Sequence, residues 1–216
     1  MGAAHTAIPP LFDVYDADLV PLVFQGYADD LVARTVAWEV ANALDLPYAE
    51  ASFDAVVCGF GAMFFSPHHA AYAEARRVLR PGGTYLFTVW DCLDRNDLCR
   101  AVAEAVAEIF PDDPPGFLTR TPYGYFDADV IVADLAAGGF SATPRVERLE
   151  HPARAATALD AARAICAGTP LRDEILVRGD DALEHAIEET AQRLAARFGS
   201  TGLEGATSAV CVTVTR

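Results

Sequence analysis

The chain contains no lysine. All sixteen basic residues are arginine, against thirty-one aspartates and glutamates, which leaves a formal net charge of -15. Such a surface repels phosphate backbones and anionic bilayers, so neither a nucleic acid nor a membrane is expected as a partner. Cysteine is sparse: Cys58, Cys92, Cys99, Cys166 and Cys211 are scattered, and no two form a C-x-x-C pair. That spacing excludes a disulfide framework and a zinc site and suits reduced thiols, so no metal is expected. No apolar run reaches membrane-spanning length. Met1–Pro10 has no basic stretch leading into an apolar one, so no signal peptide is read, and a cytoplasmic protein is expected. Charged residues make up only 22% of the 216, and apolar ones 52%, enough to fill the core of a single domain.

Apolar spacing then divides the chain. Leu22, Val23, Tyr27, Leu31, Val32 and Val36 recur at helical intervals, which predicts a helix over Pro21–Val36. Trp38–Ala43 reads as a short strand. Ala55–Gly59 is brief, apolar and bounded by turn residues, as a buried parallel strand should be. Ser66-Pro67 opens a helix that Arg80-Pro81-Gly82-Gly83 stops, and Thr84–Trp90 has strong strand propensity. Leu98–Phe110 reads as a helix, and the Pro- and Gly-rich stretch from Asp112 to Tyr125 as a loop. Asp127 and Gly138-Gly139 bracket a further helix. Val146–Leu149 is a strand candidate, Arg154–Phe198 is mostly helical, and Ala209–Thr215 alternates as a closing strand. Strand, helix, strand in that order implies right-handed parallel pairing, with the late strands as an antiparallel edge pair.

Three pieces, Asn42-Ala43-Leu44-Asp45-Leu46-Pro47, Ser52-Phe53-Asp54-Ala55-Val56-Val57 and Ala75-Arg76-Arg77-Val78-Leu79-Arg80-Pro81-Gly82-Gly83, occur in fixed order. Together they resemble the class I methyltransferases that use S-adenosylmethionine (SAM), in the branch related to ubiquinone and menaquinone biosynthesis. The resemblance implies an α/β fold with an incomplete doubly wound (Rossmann-like), mostly parallel sheet and a helical lid insertion. One domain, 1–216, would hold an N-terminal helical arm (1–36), core strands (38–90), the lid (150–200) and a closing strand (208–216). It also implies SAM as cofactor and a small-molecule acceptor. Asn42 takes the place of an aspartate that faces adenine, and asparagine still accepts through its side-chain oxygen. Ala43 and Leu44 would flank the ring. Cys58, Gly59 and Phe60 fall at the carboxyl end of a strand, where doubly wound sheets bind ligands, and Met63, Phe64 and Phe65 would extend an apolar wall.

The sequence departs from this family in one large respect. The glycine-rich turn that holds the methionine end of SAM, and the acidic residue for its ribose, belong before Trp38. No room for a βαβ unit exists between Val36 and Trp38, and the nearest G-x-G, Gly59-Phe60-Gly61, follows a later strand. Losing the opening strands would bare a sheet edge, to be covered by the Trp38 strand or by a second copy in a homodimer.

Candidate site residues follow from chemistry at the strand end. His68, beside His69, sits where a general base would reach an acceptor hydroxyl, or alternatively is a solvated helix start. Tyr15, Tyr123 and Tyr125 are read as acceptor-pocket residues or, equally, as packing aromatics; Phe126 lies beside them. Cys58 reads as core rather than nucleophile, and Asp173 and Glu174 as surface charge. Two functions stand: methyl transfer to a small acceptor, or a non-catalytic subunit or ligand-binding module that kept the fold.

Overall fold

A computed structural model describes residues 39–216. The helix expected over Pro21–Val36, the start of the strand expected at Trp38, and Tyr15 lie outside the described residues. Contacts gather into two compact units. One contains 39–95, 119–151 and 208–216 and carries the sheet core. The other contains 96–118 and 152–207 and is mainly helical.

In the first unit, β1 (Phe53–Gly59) and β2 (Leu79–Trp90) flank helix α1 (His68–Val78). The two strands pair in parallel, Ala55 opposite Thr84 and Gly59 opposite Thr88, as the order of elements requires. β4 (Thr201–Thr215) pairs antiparallel with β2, Thr84 opposite Thr215 and Trp90 opposite Ala209. β3 (Arg145–Thr157) completes a mixed four-stranded sheet of order β1-β2-β4-β3. The fold is therefore α/β, but among the described residues one strand pairing is parallel and β2–β4 is antiparallel.

β2 is the buried strand. Alternate residues Tyr85, Phe87 and Val89 point toward α1 and are at most 2% exposed. Tyr72 of α1 packs its ring against Tyr85 (5.8 Å) and Phe87 (5.3 Å). Tyr72, Ala75 and Val78 make one buried face of α1. Helix α1 ends at Val78, and Arg80-Pro81-Gly82-Gly83 forms the irregular start of β2, where its register with β1 shifts. Gly82 adopts φ 81°, and a Cβ on Gly83 would meet the carbonyl oxygens of Arg80 (2.9 Å) and Asp54 (3.0 Å).

β1 corrects the expectation of a buried strand. It lies at the end of the sheet, no described residue pairs with its other side, and Val57 is 53% exposed. The strand read at Trp38–Ala43 is also corrected. Residues 42–45 form a turn, closed by the Asp45 N–H on the Asn42 carbonyl (3.0 Å) and the Leu44 N–H on Asn42 Oδ1 (3.1 Å). Asparagine side chains stabilise such turns by accepting from a backbone N–H two residues on, and that competes with strand pairing.

After β2, helix α2 (Asp97–Ile109) belongs to the helical unit, as does the first half of the four-residue α3 (Phe117–Arg120). α3 interrupts what the sequence suggested was a loop. Its first N–H groups find an acceptor in Glu174, whose Oε2 receives those of Gly116 (2.8 Å) and Phe117 (3.0 Å). Glu174 is thus an anchor rather than surface charge. Helix α4 (Ala128–Ala137) returns to the first unit. Asp127 accepts from the Asp129 N–H at its start (2.9 Å), and Gly139 takes φ 90° after its end.

Gly138 matters through contact instead of conformation. Its φ is -75°, but a Cβ there would sit 2.8 Å from Tyr72 Cβ and 3.1 Å from the His69 carbonyl. The close approach of α4 to α1 depends on the missing methyl. Gly138→Ala should cost about 2 kcal/mol by forced overpacking, read as a lowered thermal midpoint.

In the helical unit, α5 (Ala158–Ala167), α6 (Leu171–Leu176) and α7 (Ala182–Phe198) follow β3 and pack with α2. The helical stretch expected from Arg154 thus begins at Ala158. Leu98, Val102, Ile165, Leu183 and Leu194 are at most 1% exposed at its centre. Cys166 is fully enclosed, and burial pushes its thiol up to about 12, which keeps it protonated and inert.

Candidate functional site

Every described candidate residue lies in the sheet-containing unit. At the carboxyl end of β1 the chain must turn toward α1. It does so at Phe60, which takes φ 52°, a left-handed conformation uncommon for a bulky side chain. The Phe60 N–H donates to the Thr88 carbonyl (3.0 Å), which pins the bend to β2. Its ring stacks on Trp90 at 4.2 Å, and Trp90 packs against Tyr123 at 5.9 Å. The ends of both parallel strands are therefore joined by an aromatic chain.

Cys58 precedes this bend. A Cβ on Gly61 would lie 2.9 Å from its sulfur, so the thiol is closed in by the backbone. Burial pushes the thiol up, and backbone N–H groups of Gly61 and Ala62 only partly offset this. The thiol is half-buried and neutral, which makes it a poor nucleophile. Met63 is buried (5% exposed) while Phe64 faces out (54%).

A second cluster forms where α1 begins. The His68 imidazole stacks on Tyr125 with centroids 3.8 Å apart and planes 10° apart. The Tyr125 hydroxyl donates to Asp134 Oδ2 (2.8 Å) and accepts from the Tyr72 hydroxyl (3.1 Å). His68 Nδ1 lies 3.9 Å from the same Asp134 oxygen. His68 Nε2 is buried and has no hydrogen-bond partner among the described residues. Burial lowers the imidazole's proton affinity first; Asp134 works against that and His69 adds to it, with a net lowering. The ring is neutral near pH 7, the form a base requires. Burial raises both phenols above the usual tyrosine range, so Tyr72 and Tyr125 act as hydrogen-bonding groups, not as phenolates.

Tyr123 and Tyr125, read as pocket residues, are 5% and 7% exposed and sit among aromatic partners. From the same segment it is Phe126 that borders open space. Together with Asp91, Arg95, Val146, Arg148 and Val210 it lines a cavity of about 420 Å³. Asp91 directly follows β2 and is 3% exposed. It accepts from Arg148 Nε (2.5 Å), the Cys92 N–H (2.8 Å) and the Ser208 hydroxyl (2.9 Å), with Arg95 Nε at 3.5 Å. Burial alone would raise this carboxyl; the Arg148 guanidinium and the other donors overcome it and hold the group below its ordinary value.

Asn42, Ala43 and Leu44 are placed differently. The residues just after them are fastened to the last turns of α1. The Leu46 N–H donates to Glu74 Oε2 (2.8 Å), and Arg77 donates to the carbonyls of Leu46 (2.9 Å) and Tyr48 (2.7 Å). That is the end of the sheet where β1 begins, since the Ser52 N–H reaches the Val78 carbonyl. Leu46 and Tyr48 are thus fastened to the carboxyl end of α1, whereas Phe60 is pinned to β2 through Thr88.

The fit to SAM is partial. Asn42 is exposed, and its turn bond leaves the amide N–H donors and one oxygen lone pair for an adenine edge. The described residues offer no glycine turn after a first strand and no carboxylate placed for ribose hydroxyls. Among them, no group of three or more His, Cys, Asp or Glu side chains is placed to hold a metal ion. No described helix is long and apolar enough to cross a membrane.

Sequence reasoning missed Asp91, Asp134 and Arg148. Asp134 is one acid among many on an acidic chain, and only the packing of α4 against α1 brings it to His68 and Tyr125. Asp91 directly after a strand end was a usable signal, because such positions face ligands in doubly wound sheets.

The methyltransferase domain family matches residues 3–87. An uncharacterised protein of Mycobacterium tuberculosis is 45% identical over 81 residues, covering 37% of this chain and 30% of its own length. The demethylmenaquinone methyltransferase of Deinococcus radiodurans is 38% identical over 76 residues, 34% of this chain and 32% of its own. The chain therefore spans about a third of the length of these relatives. A solved structure, the YcgJ protein of Bacillus subtilis, superimposes with a TM-score of 0.48 at 16% identity, covering 88% of this chain and 75% of that one.

Proposed function

We propose, from the match of residues 3–87 to a methyltransferase domain family, that the protein takes part in methyl transfer from SAM to a small-molecule acceptor. The observation that carries this reading is the family match ending on the parallel β1–β2 pair, where the Arg80–Gly83 turn delivers β2 alongside β1. When bound, SAM supplies an activated methyl group, so the protein's share of the work is placement.

This chain's own residues do three things in that reading. The Phe60 bend and the Trp90 ring wall off the ends of the two strands. Tyr125 fixes the plane of His68 by stacking, and Asp134 holds Tyr125 by its hydroxyl. His68, neutral near pH 7, takes a proton from an acceptor hydroxyl.

The missing glycine turn sets the expected strength of cofactor binding. Titration calorimetry with S-adenosylhomocysteine should give binding weaker than micromolar, and Asn42→Ala should weaken it several-fold further, the worth of about one hydrogen bond of 1 kcal/mol. Micromolar affinity would overturn the consequence drawn from the missing turn. No binding at millimolar ligand would overturn the methyl-transfer reading itself.

One observation favours a second reading. β1 ends the described sheet with Phe53 and Val57 exposed, the kind of edge a second strand covers. A non-catalytic subunit pairing through this edge, as a homodimer, predicts a concentration-dependent dimer by sedimentation with no uptake of SAM.

A further inference from the structure

We propose that the 420 Å³ cavity beside β2 is a binding site for a small molecule that carries an oxyanion, a carboxylate or phosphate, on an apolar body. The inference concerns the cavity alone and does not depend on methyl transfer.

Two arginines border the cavity, Arg95 and Arg148, and both are held by the same buried carboxylate. Each meets Asp91 through Nε, at 3.5 Å and 2.5 Å. A guanidinium has five N–H donors in a fixed fork, and the Nε contact engages one of them. The contact of each side chain with Asp91 runs through Nε, and the half-exposed guanidiniums present their Nη ends toward solvent-accessible space. Both side chains are 48% exposed while Asp91 is 4%, so the carboxylate is closed off and the forks remain accessible.

The lining carries two cations and three carboxylates, Asp91, Asp127 and Glu147, so the attraction for an anion is local to the guanidinium forks and is not a net charge. The two other carboxylates on the lining are committed elsewhere. Asp127 caps helix α4, and Glu147 pairs with Arg145 (2.7 Å). On a chain of net charge -15, two half-exposed guanidiniums over one cavity are a local exception to the surrounding field. An anion that reaches it is held at short range by paired N–H donors.

The rest of the lining decides the class of ligand. Phe126, Val146 and Val210 are apolar and border the same space. A cavity of this size accommodates a small organic molecule, with few polar groups fixing its orientation. An aromatic or short aliphatic acid, or the corresponding phosphate ester, matches that arrangement: the oxyanion on the arginine forks and the body against Phe126 and the valines.

The test is a ligand titration of the full chain by NMR or calorimetry at low salt, with benzoate, phenyl phosphate and neutral benzamide as probes. Benzoate or phenyl phosphate should bind saturably and at least about tenfold more tightly than benzamide, as charge-assisted pairing requires. The tighter of the two identifies the oxyanion. Arg95→Gln should weaken binding about tenfold. Arg148→Lys keeps a cation against Asp91 but removes the fork, and should weaken binding several-fold without lowering the melting temperature. Equal binding of benzoate, phenyl phosphate and benzamide, no saturable binding of either anion, or full affinity in both variants overturns the proposal. The contrast between charged and neutral probes is read on the unmodified protein, so it holds even if a variant fails to fold.

Discussion

Replacing Asp91 by alanine is expected to lower folding stability by about 3 kcal/mol, and the thermal midpoint by roughly 6–12 °C. The side chain is nearly inaccessible and serves four donors at once, from Arg148, Arg95, Ser208 and the backbone of Cys92. Its loss removes one acceptor from Ser208 and from the Cys92 N–H and takes the shared counter-charge from two guanidiniums. The two arginines are half-exposed and can recover water, which keeps the cost at the lower end of what a broken buried pair incurs.

The same residue sets a pH signature. Asp91 has a folded-state carboxyl below its ordinary value. A depressed acid contributes stability that is complete above the unfolded value near 3.9 and is lost as pH falls through the folded one. Urea melts between pH 5 and pH 2 should therefore show a steeper loss in the wild type than in Asp91→Asn. Parallel slopes would show that Asp91 is not bound as described.

The largest single loss is expected at Tyr72. Its ring is fully buried between β2 and α4, and it touches Tyr85 and Phe87. Tyr72→Ala should cost about 4 kcal/mol, the usual range for emptying a large aromatic site in a packed core. Tyr72→Phe keeps the ring and deletes only the bond to the Tyr125 hydroxyl, at about 1 kcal/mol. The pair, compared by urea melts, separates packing from polarity. If the two variants lose equally, the hydroxyl network rather than the ring organises α1 against the sheet.

Local punctuation made much of the fold legible. Ser66-Pro67, Arg80-Pro81-Gly82-Gly83, Asp127 and Gly138-Gly139 bracket α1 and α4 within a residue or two of where they lie. Ala55–Gly59 and Thr84–Trp90 are neighbouring parallel strands, as read. The strand at Arg145–Thr157 was legible only to Leu149, because Pro152 and three alanines hide it; a proline is tolerated there because β3 lies at the edge of the sheet. The turn at Asn42 escaped detection because an asparagine in an apolar context reads equally as strand or turn until its side chain finds Leu44 N–H. Of the site, His68 and Tyr125 were named from position alone, and the structure stacks one on the other. Their partner Asp134, and the Asp91–Arg148 pair, depend on contacts between distant segments, which neither period nor motif encodes.

Phe60 has an implication for efforts to make this protein hardier. A left-handed backbone under a phenylalanine holds on the order of 1 kcal/mol that glycine would release. Glycine there would also empty a ring that is 9% exposed and stacked on Trp90, at a cost of about 3–5 kcal/mol that exceeds the strain released. Selection for robustness therefore keeps the aromatic floor at the strand tips, strain included.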